Sequence, residues 1–370
     1  MKKNKILYIF GPGRVEKIKN SSINPHDFFY GYKYFSDKYI TEIIEVNKNE
    51  TNKHGIRKIL YFYDRLVMKL TSYPSYCIEL YFKKNLKIIK NSENVVYTSD
   101  ALFLSLLPMV FLNKLKRRNI KNYVITMGLF GKSSNTFLRK IFNKIYQKIY
   151  LYSADKFIFL GLGEYNFALL KHAKYKSKFN YVPFGVDVAF WTNFESQERK
   201  GVLFVGNDGK RDFELLEKII KKLKNIKFTV ITSHKIETRT QNLELINGNW
   251  SKQNLSDEML RTIYSNSELT IIPLIDSYQP SGQSVALQSL NCGTPILISK
   301  THGFFSDESF IKDFKINFVN SNNLNEWEEE IYKILKNTDK FKLNSNQKLK
   351  LSKFYSVESF FKKLEEIIFN

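Results

Sequence analysis

Short apolar runs separated by longer amphipathic stretches set the rhythm of this chain. Lys5-Ile6-Leu7-Tyr8-Ile9-Phe10 shows no polar alternation after its first residue and reads as a strand buried on both faces, and Gly11-Pro12-Gly13 reads as the turn at its carboxyl end. An aromatic-rich helix over Asp27–Phe35 and a short strand over Ile40–Val46 complete a βαβ opening. Further strands are expected over Asn94–Thr98, Tyr123–Thr126 and Lys156–Leu160, with helices over Ala101–Lys116 and Thr136–Tyr152 between them. Alternation of this kind predicts a doubly wound parallel sheet.

Proline and glycine interrupt the rhythm at Tyr181-Val182-Pro183-Phe184-Gly185-Val186-Asp187, and the polar stretch Thr192 to Lys200 that follows has no periodicity, as expected of an interdomain linker. The pattern then restarts. Strands are expected over Gly201–Gly206, Lys227–Thr232, Leu269–Pro273 and Pro295–Ser299, and helices over Phe213–Lys224, Asp257–Asn266 and Ser284–Leu290. Phe360, Phe361, Leu364, Ile367 and Ile368 lie on one face of a last helix, Val357–Phe369, long enough to pack back across the junction. The predicted organisation is α/β, with two Rossmann-like domains facing each other across a central cleft. Residues 1–185 and 201–350 form the domains and 351–370 the returning helix. A length of 370 residues suits two units of roughly 150–200 residues each.

Composition removes several classes. Ile6 to Phe10 is too short for the apolar part of a secretory signal, and Ala101 to Leu112 is shorter than the ~20 residues a membrane-spanning helix needs and carries Pro108, so a cytoplasmic protein is expected. Cys77 and Cys292 are the only cysteines, without histidines at ligand spacing, and read as packing residues rather than a disulfide or zinc site. The net charge of +22 allows three kinds of polyanionic partner, nucleic acid, an anionic membrane surface or a phosphorylated substrate, without choosing among them. Part of the excess belongs to a general enrichment in Lys, Asn, Ile, Phe and Tyr. No helix-turn-helix, zinc-finger, RRM or KH signature accompanies it, so nucleic acid is not the expected partner.

Two segments carry candidate chemistry. Ser281-Gly282-Gln283-Ser284 opens a helix that is closed by Asn291-Cys292-Gly293-Thr294-Pro295 before a buried strand; a glycine there lets backbone N–H groups approach a phosphate or sugar hydroxyl at the positive end of the helix dipole. Helix capping is the competing role for Ser281 and Ser284. Phe204-Val205-Gly206-Asn207-Asp208-Gly209-Lys210-Arg211-Asp212 is again a strand end, a glycine turn and a basic pair. Arg211 is the better diphosphate ligand of the pair because its planar fork holds two oxygens at once. Of the five histidines, His302 is the exception as a candidate ligand contact, in the loop Lys300-Thr301-His302-Gly303 just beyond the expected strand Pro295–Ser299.

In order and motif, these segments resemble the retaining GT-B glycosyltransferases of family four, also called the glycosyl transferases group 1 family. Val182-Pro183-Phe184-Gly185-Val186-Asp187 with Phe190-Trp191 is similar to that family's stretch before the linker. Val205-Gly206 opens the second domain where the family does, Trp250 to Pro273 resembles the segment before the donor loop, and Gln279-Pro280-Ser281-Gly282-Gln283-Ser284 through Gly293-Thr294-Pro295 fits the donor loop and helix. The family's paired glutamates fall on Pro280 and Gln288, its arginine after the Val-Gly step falls on Asn207, and its N-domain histidine on Thr126-Met127-Gly128. Gln288 keeps hydrogen-bonding capacity without a charge.

The resemblance implies a metal-independent, retaining hexosyltransferase that moves a sugar from a nucleotide-sugar co-substrate, with no cofactor, to an acceptor hydroxyl in surface-polysaccharide or glycolipid synthesis. Arg211 and Lys210 are the expected catalytic groups. Gly11, Gly13, Gly206, Asn207, Ser281, Gly282, Gln283, Ser284, Gln288 and His302 are the expected donor-binding positions, with no metal ligand and no Asp-x-Asp motif in the chain. A nucleotide-sugar epimerase or hydrolase, or a non-catalytic sugar-nucleotide binder, are the alternatives, and a nucleic-acid-binding protein is a distant one. For a polysaccharide or lipid-linked acceptor, residues 137–150 offer a peripheral contact with anionic membrane at the inner face of the cell membrane. There Leu138, Ile141, Phe142, Ile145 and Ile149 form an apolar stripe, with Lys140, Lys144 and Lys148 on another face. The competing reading is a helix whose apolar stripe faces the core and whose lysines face water.

Overall fold

The computed structural model describes residues 5–20, 24–46, 55–71, 74–130, 137–192, 198–248, 255–304, 308–314 and 316–370. Most of the expected linker and Trp250 lie outside these residues, as do Thr136 and the side chain of Leu138.

Two six-stranded sheets organise the molecule. The first contains β1 (Lys5–Phe10), β2 (Ile40–Glu45), β3 (Asn94–Tyr97), β4 (Lys121–Thr126), β5 (Lys156–Phe159) and β6 (Phe179–Tyr181), in the order β2-β1-β3-β4-β5-β6. The second contains β7 (Val202–Val205), β8 (Phe228–Thr232), β9 (Leu243–Asn247), β10 (Leu269–Ile272), β11 (Ile296–Ser299) and β12 (Asn317–Val319), in the order β12-β11-β10-β7-β8-β9. Every pairing is parallel. The central strands read as unbroken apolar runs because helices cover both faces: Ile6 to Phe10 are wholly buried, as are Val95 to Tyr97 and Leu269 to Ile272. Strand order reverses beside β1 in one sheet and beside β7 in the other, and a crevice at the carboxyl ends of the strands opens at such a reversal.

Several elements differ from the sequence reading. The expected helix Asp27–Phe35 is broken into a 3-10 turn, Asp27–Phe29, and a helix, Tyr32–Lys38, because Tyr30 (φ 46°) and Gly31 (φ 86°) are left-handed. The edge strands β6, β9 and β12 and the amphipathic helix Ile56–Thr71 join the expected set. Pro108 is accommodated inside the helix Asp100–Leu115. Cys77 and Cys292 are free and buried, and burial raises the thiol of Cys292 to about 12.

The chain crosses between the domains twice, side by side. Val186 donates its N–H to the carbonyl of Tyr355 (2.9 Å), and Val357 returns one to Val186 (3.0 Å). A Cβ on Gly185 would lie 2.3 Å from the Ser356 carbonyl oxygen, so the crossing needs a glycine there. Beyond it the helix Val357–Phe369 packs on the first domain, where Tyr123 donates to the Ile368 carbonyl (2.9 Å), Tyr34 and Tyr39 each donate to Glu365 (2.8 Å), and Tyr39 stacks on Phe369. One apolar core therefore runs continuously from Tyr8 and Phe10 through Phe361 and Leu364 to Ile272 and Ile298.

Candidate functional site

The carboxyl ends of the two sheets face each other across a cavity of about 470 Å³. Pro12, Gly13, Arg14, Lys17 and Phe28 line it from the first domain, and Gly206, Asn207, Asp208, Arg211, Ser284 and Gln288 from the second. Two contacts tie its walls together. Lys17 forms an ion pair with Asp257 (2.6 Å), and the carboxamide of Gln288 donates to Asp27 (2.8 Å).

Arg211 is the chemical centre of the second domain's wall. Its side chain is 3% exposed and lies 3.2 Å from Asp208, yet Nε and Nη1 make no hydrogen bond within the described residues. Burial lowers the affinity of the guanidinium for its proton, with Asp208 opposing, but an arginine stays charged throughout the physiological range. The backbone on either side is pinned: Asp212 donates to the Pro273 carbonyl (3.0 Å) and Ile275 to the Lys210 carbonyl (2.8 Å). Two glycines make room for the fork. A Cβ on Gly206 would sit 2.2 Å from Nε, and one on Gly282 3.2 Å from Nη1.

Gly282 is also the N-cap of the helix Gln283–Asn291, in the left-handed region at φ 85°, and no side chain caps it. Capping, the competing role for Ser281 and Ser284, is therefore not what they do. Ser284 lines the cavity, and the Ser281 hydroxyl is buried without a hydrogen-bond partner in the described residues. A buried cation with orphaned donors beside an uncapped helix N-terminus is an arrangement for a multiply charged anion.

The remaining expected positions scatter around this centre. Gly13 lines the cavity with φ 81°, and Gly11 begins the same loop, but the helix that follows them already has its anion: Glu45 accepts from the N–H groups of Arg14 and Val15. Asn207 lines the cavity while its amide is used within the domain, donating to Gly248 (2.7 Å) and accepting from Thr232 (3.1 Å) and Ser233 (2.6 Å). Lys210 parts from Arg211 and lines a second cavity, of about 410 Å³, with Asp100, Met127, Gly128, Tyr278 and Gln279. Adjacent residues diverge in this extended loop, so the basic pair does not act as one grip. Gln283 is buried in the first turn of its helix. His302 is 63% exposed, paired with Asp276 (2.7 Å) and packed on Tyr278, outside the residues lining either cavity.

Three acids that the sequence reading passed over shape the site. Asp27 accepts from the Trp191 indole (2.7 Å), the Gln288 carboxamide (2.8 Å) and the Asp187 backbone N–H (2.6 Å); burial nevertheless raises its carboxyl to about 7, against the lowering effect of those bonds. Asp100, raised by burial to about 6, accepts from Met127 N–H (2.9 Å) and the Tyr150 hydroxyl (2.5 Å). Glu164, wholly buried, accepts from Gly128 (2.6 Å) and Phe130 (2.9 Å). Asp100 and Glu164 thus hold the turn after β4 against Gln279, whose side chain would lie 3.0 Å from a Cβ on Gly128. No local pattern announces an acid whose donors come from other segments; Asp27 at the head of its aromatic run was the one visible hint.

No family model matches this chain, and no curated protein matches it in sequence. Solved structures do. Sucrose-phosphate synthase from Thermosynechococcus elongatus superposes with a TM-score of 0.69 at 12% identity, over 99% of this chain and 98% of that one. HepE from Anabaena in complex with UDP gives 0.60 at 9% identity over 98% of both chains. UDP-N-acetylglucosamine 2-epimerase from Rickettsia bellii gives 0.53 at 14% identity over 99% and 96%. The protein has the GT-B fold of these neighbours, α/β with two Rossmann-like halves, as expected from its sequence.

Proposed function

We propose that this protein is a glycosyltransferase whose second domain holds the diphosphate of a nucleotide-sugar donor at Arg211 and the Gly282 helix N-terminus. The buried guanidinium carries the reading: Asp208, 3.2 Å away, balances its charge, but Nε and Nη1 make no hydrogen bond within the described residues, and a diphosphate satisfies them. When the bond from the anomeric carbon to the diphosphate breaks, negative charge grows on the leaving oxygen. In this reading Arg211, its side chain 3% exposed, and the uncapped first N–H groups of the helix Gln283–Asn291 stabilise that charge. The acceptor hydroxyl, on a polysaccharide or lipid-linked sugar, enters beside Lys210, Gly128 and Gln279 from the first domain's side. Retention of configuration and independence of metal are parts of this proposal that follow from the family resemblance. The UDP complex of HepE makes uridine diphosphate the first nucleotide to try.

Thermal-shift measurements with UDP, GDP, ADP and CMP and their sugars test it. One nucleotide diphosphate at about a hundred times its Kd raises stability by ~2.7 kcal/mol. A response to duplex DNA and to no nucleotide overturns the reading. The epimerase neighbour supports a second reading, and product analysis separates the two: transfer leaves a glycoside and free nucleotide diphosphate, whereas epimerisation returns a sugar isomer.

A further inference from the structure

The helices Ile56–Thr71 and Phe137–Ser153 pack side by side on the first domain and are joined by a hydrogen bond between the hydroxyls of Tyr63 and Tyr146. Each tyrosine has the same neighbours on its helix face. Ile59 and Leu66 stand four residues before and three after Tyr63, as Phe142 and Ile149 do around Tyr146, and such positions share a face. Part of each face turns outward, while Tyr146 and Ile149 pack against the first domain's core. Ile59 is 68% exposed, Phe62 61%, Leu66 54%, Phe142 39% and Ile145 51%. The inward sides are taken by Asp64, Val67, Asn143 and Tyr150. Of the expected stripe, Ile141, Phe142 and Ile145 face outward while Ile149 packs against the first domain's core, and a helix unread in the sequence widens the exposed part.

The exposed charges on the two helices have one sign, while the half-buried Glu79 beyond them lines the same groove as Phe62 and Leu66. Lys58, Arg65 and Lys69 on one helix and Lys140, Lys144 and Lys148 on the other are exposed, whereas Asp64, the only acid on either helix, is buried and spent on the N–H groups of Cys77 (2.9 Å) and Ile78 (3.1 Å). Soluble surfaces rarely leave such large apolar side chains together without a partner. An apolar stripe rimmed by cations matches a surface with an apolar interior and an anionic skin. The first of the two helices also runs toward the cleft: Pro74, just beyond it, lines the second cavity with Lys210 and Gln279.

We propose that this two-helix face seats the protein on an anionic lipid bilayer, with Phe62, Leu66, Phe142 and Ile145 entering the headgroup region and the lysines contacting lipid phosphates. No helix among the described residues is long and apolar enough to cross a membrane, so the contact is peripheral. The inference stands independently of the nucleotide site.

Co-sedimentation of the full chain with vesicles tests it, using phosphatidylcholine alone and phosphatidylcholine mixed with phosphatidylglycerol. Binding is expected to the mixed vesicles only and to weaken as salt shortens the reach of charge. Lys144→Gln with Lys148→Gln lowers the partition coefficient by about fivefold for each charge removed. Phe62→Glu with Ile145→Glu abolishes binding while the far-UV circular dichroism melt stays as in the wild type, since both positions are exposed. Equal binding to neutral vesicles, no binding by the folded wild type, or full binding by Phe62→Glu/Ile145→Glu overturns the proposal. So does a concentration-dependent dimer that the same double variant splits, without any lipid binding, because the face would then belong to a second copy.

Discussion

Replacing Arg211 by methionine separates what this side chain does for folding from what it does for an anion. In the free protein its Nε and Nη1 are buried without hydrogen bonds, and an unsatisfied buried donor costs about 1–3 kcal/mol. Methionine fills a similar length of the slot beside Gly206 and Gly282 and removes those donors, so the unliganded variant should melt no lower than the wild type. With nucleotide the order reverses. Loss of two charge-assisted hydrogen bonds at ~1.5–3 kcal/mol each weakens diphosphate binding by roughly a hundredfold to ten-thousandfold. At a concentration near a hundred times the wild-type Kd, the wild type gains ~2.7 kcal/mol, a rise of about 3–4 °C for a chain of this length, whereas the variant gains almost nothing. The assay is a pair of melting curves for each protein, with and without the nucleotide diphosphate that stabilises the wild type. A variant that loses more than ~2 kcal/mol without ligand and keeps the nucleotide shift would refute the reasoning, since Arg211 would then be a brace for Asp208.

Gly206→Ala places a Cβ 2.2 Å from Nε of Arg211, so it should displace the guanidinium and cut nucleotide affinity without altering charge; titration calorimetry reads the loss. Asp27 has its folded pKa raised by burial from 3.8 to about 7, so its contribution to stability is present below about pH 4 and is lost as the pH rises through 7, by ~4 kcal/mol over the range. Urea unfolding of Asp27→Asn at pH 5 and pH 8 should show a smaller drop between the two than the wild type does. Gln288→Glu sets a second carboxylate where the Gln288 amide now lies 2.8 Å from Asp27, and the two must share a proton, so its stability should fall more steeply than the wild type's toward pH 8. Gly185→Ala pushes a methyl against the Ser356 carbonyl and should cost ~1–3 kcal/mol in urea unfolding, with the nucleotide shift retained.

The sequence by itself determined the two α/β halves, because strands covered on both faces must be apolar at consecutive positions and helices must repeat their apolar residues every three or four. That physics is local, and it made β1, β7, β10, β11 and the helices Asp257–Asn266 and Val357–Phe369 legible. Of the edge strands, β2 was legible but β6, β9 and β12 were not, because β6 and β12 are three residues long and Leu243 to Asn247 has no buried residue. The glycine at 282 and the arginine at 211 could be named because each sits at a strand-to-helix turn, but their meeting is a tertiary fact: the turns after β7 and β10 lie side by side because these strands pair at the reversal of strand order. The same holds for Asp27, which gathers donors from Asp187, Trp191 and Gln288, and for Lys210, which points away from its neighbour. Helical periodicity revealed the stripe on 137–150 but not which way it faced. Only packing, which spends Tyr63 and Tyr146 on joining the two helices and turns Phe62, Phe142 and Ile145 outward, decided that.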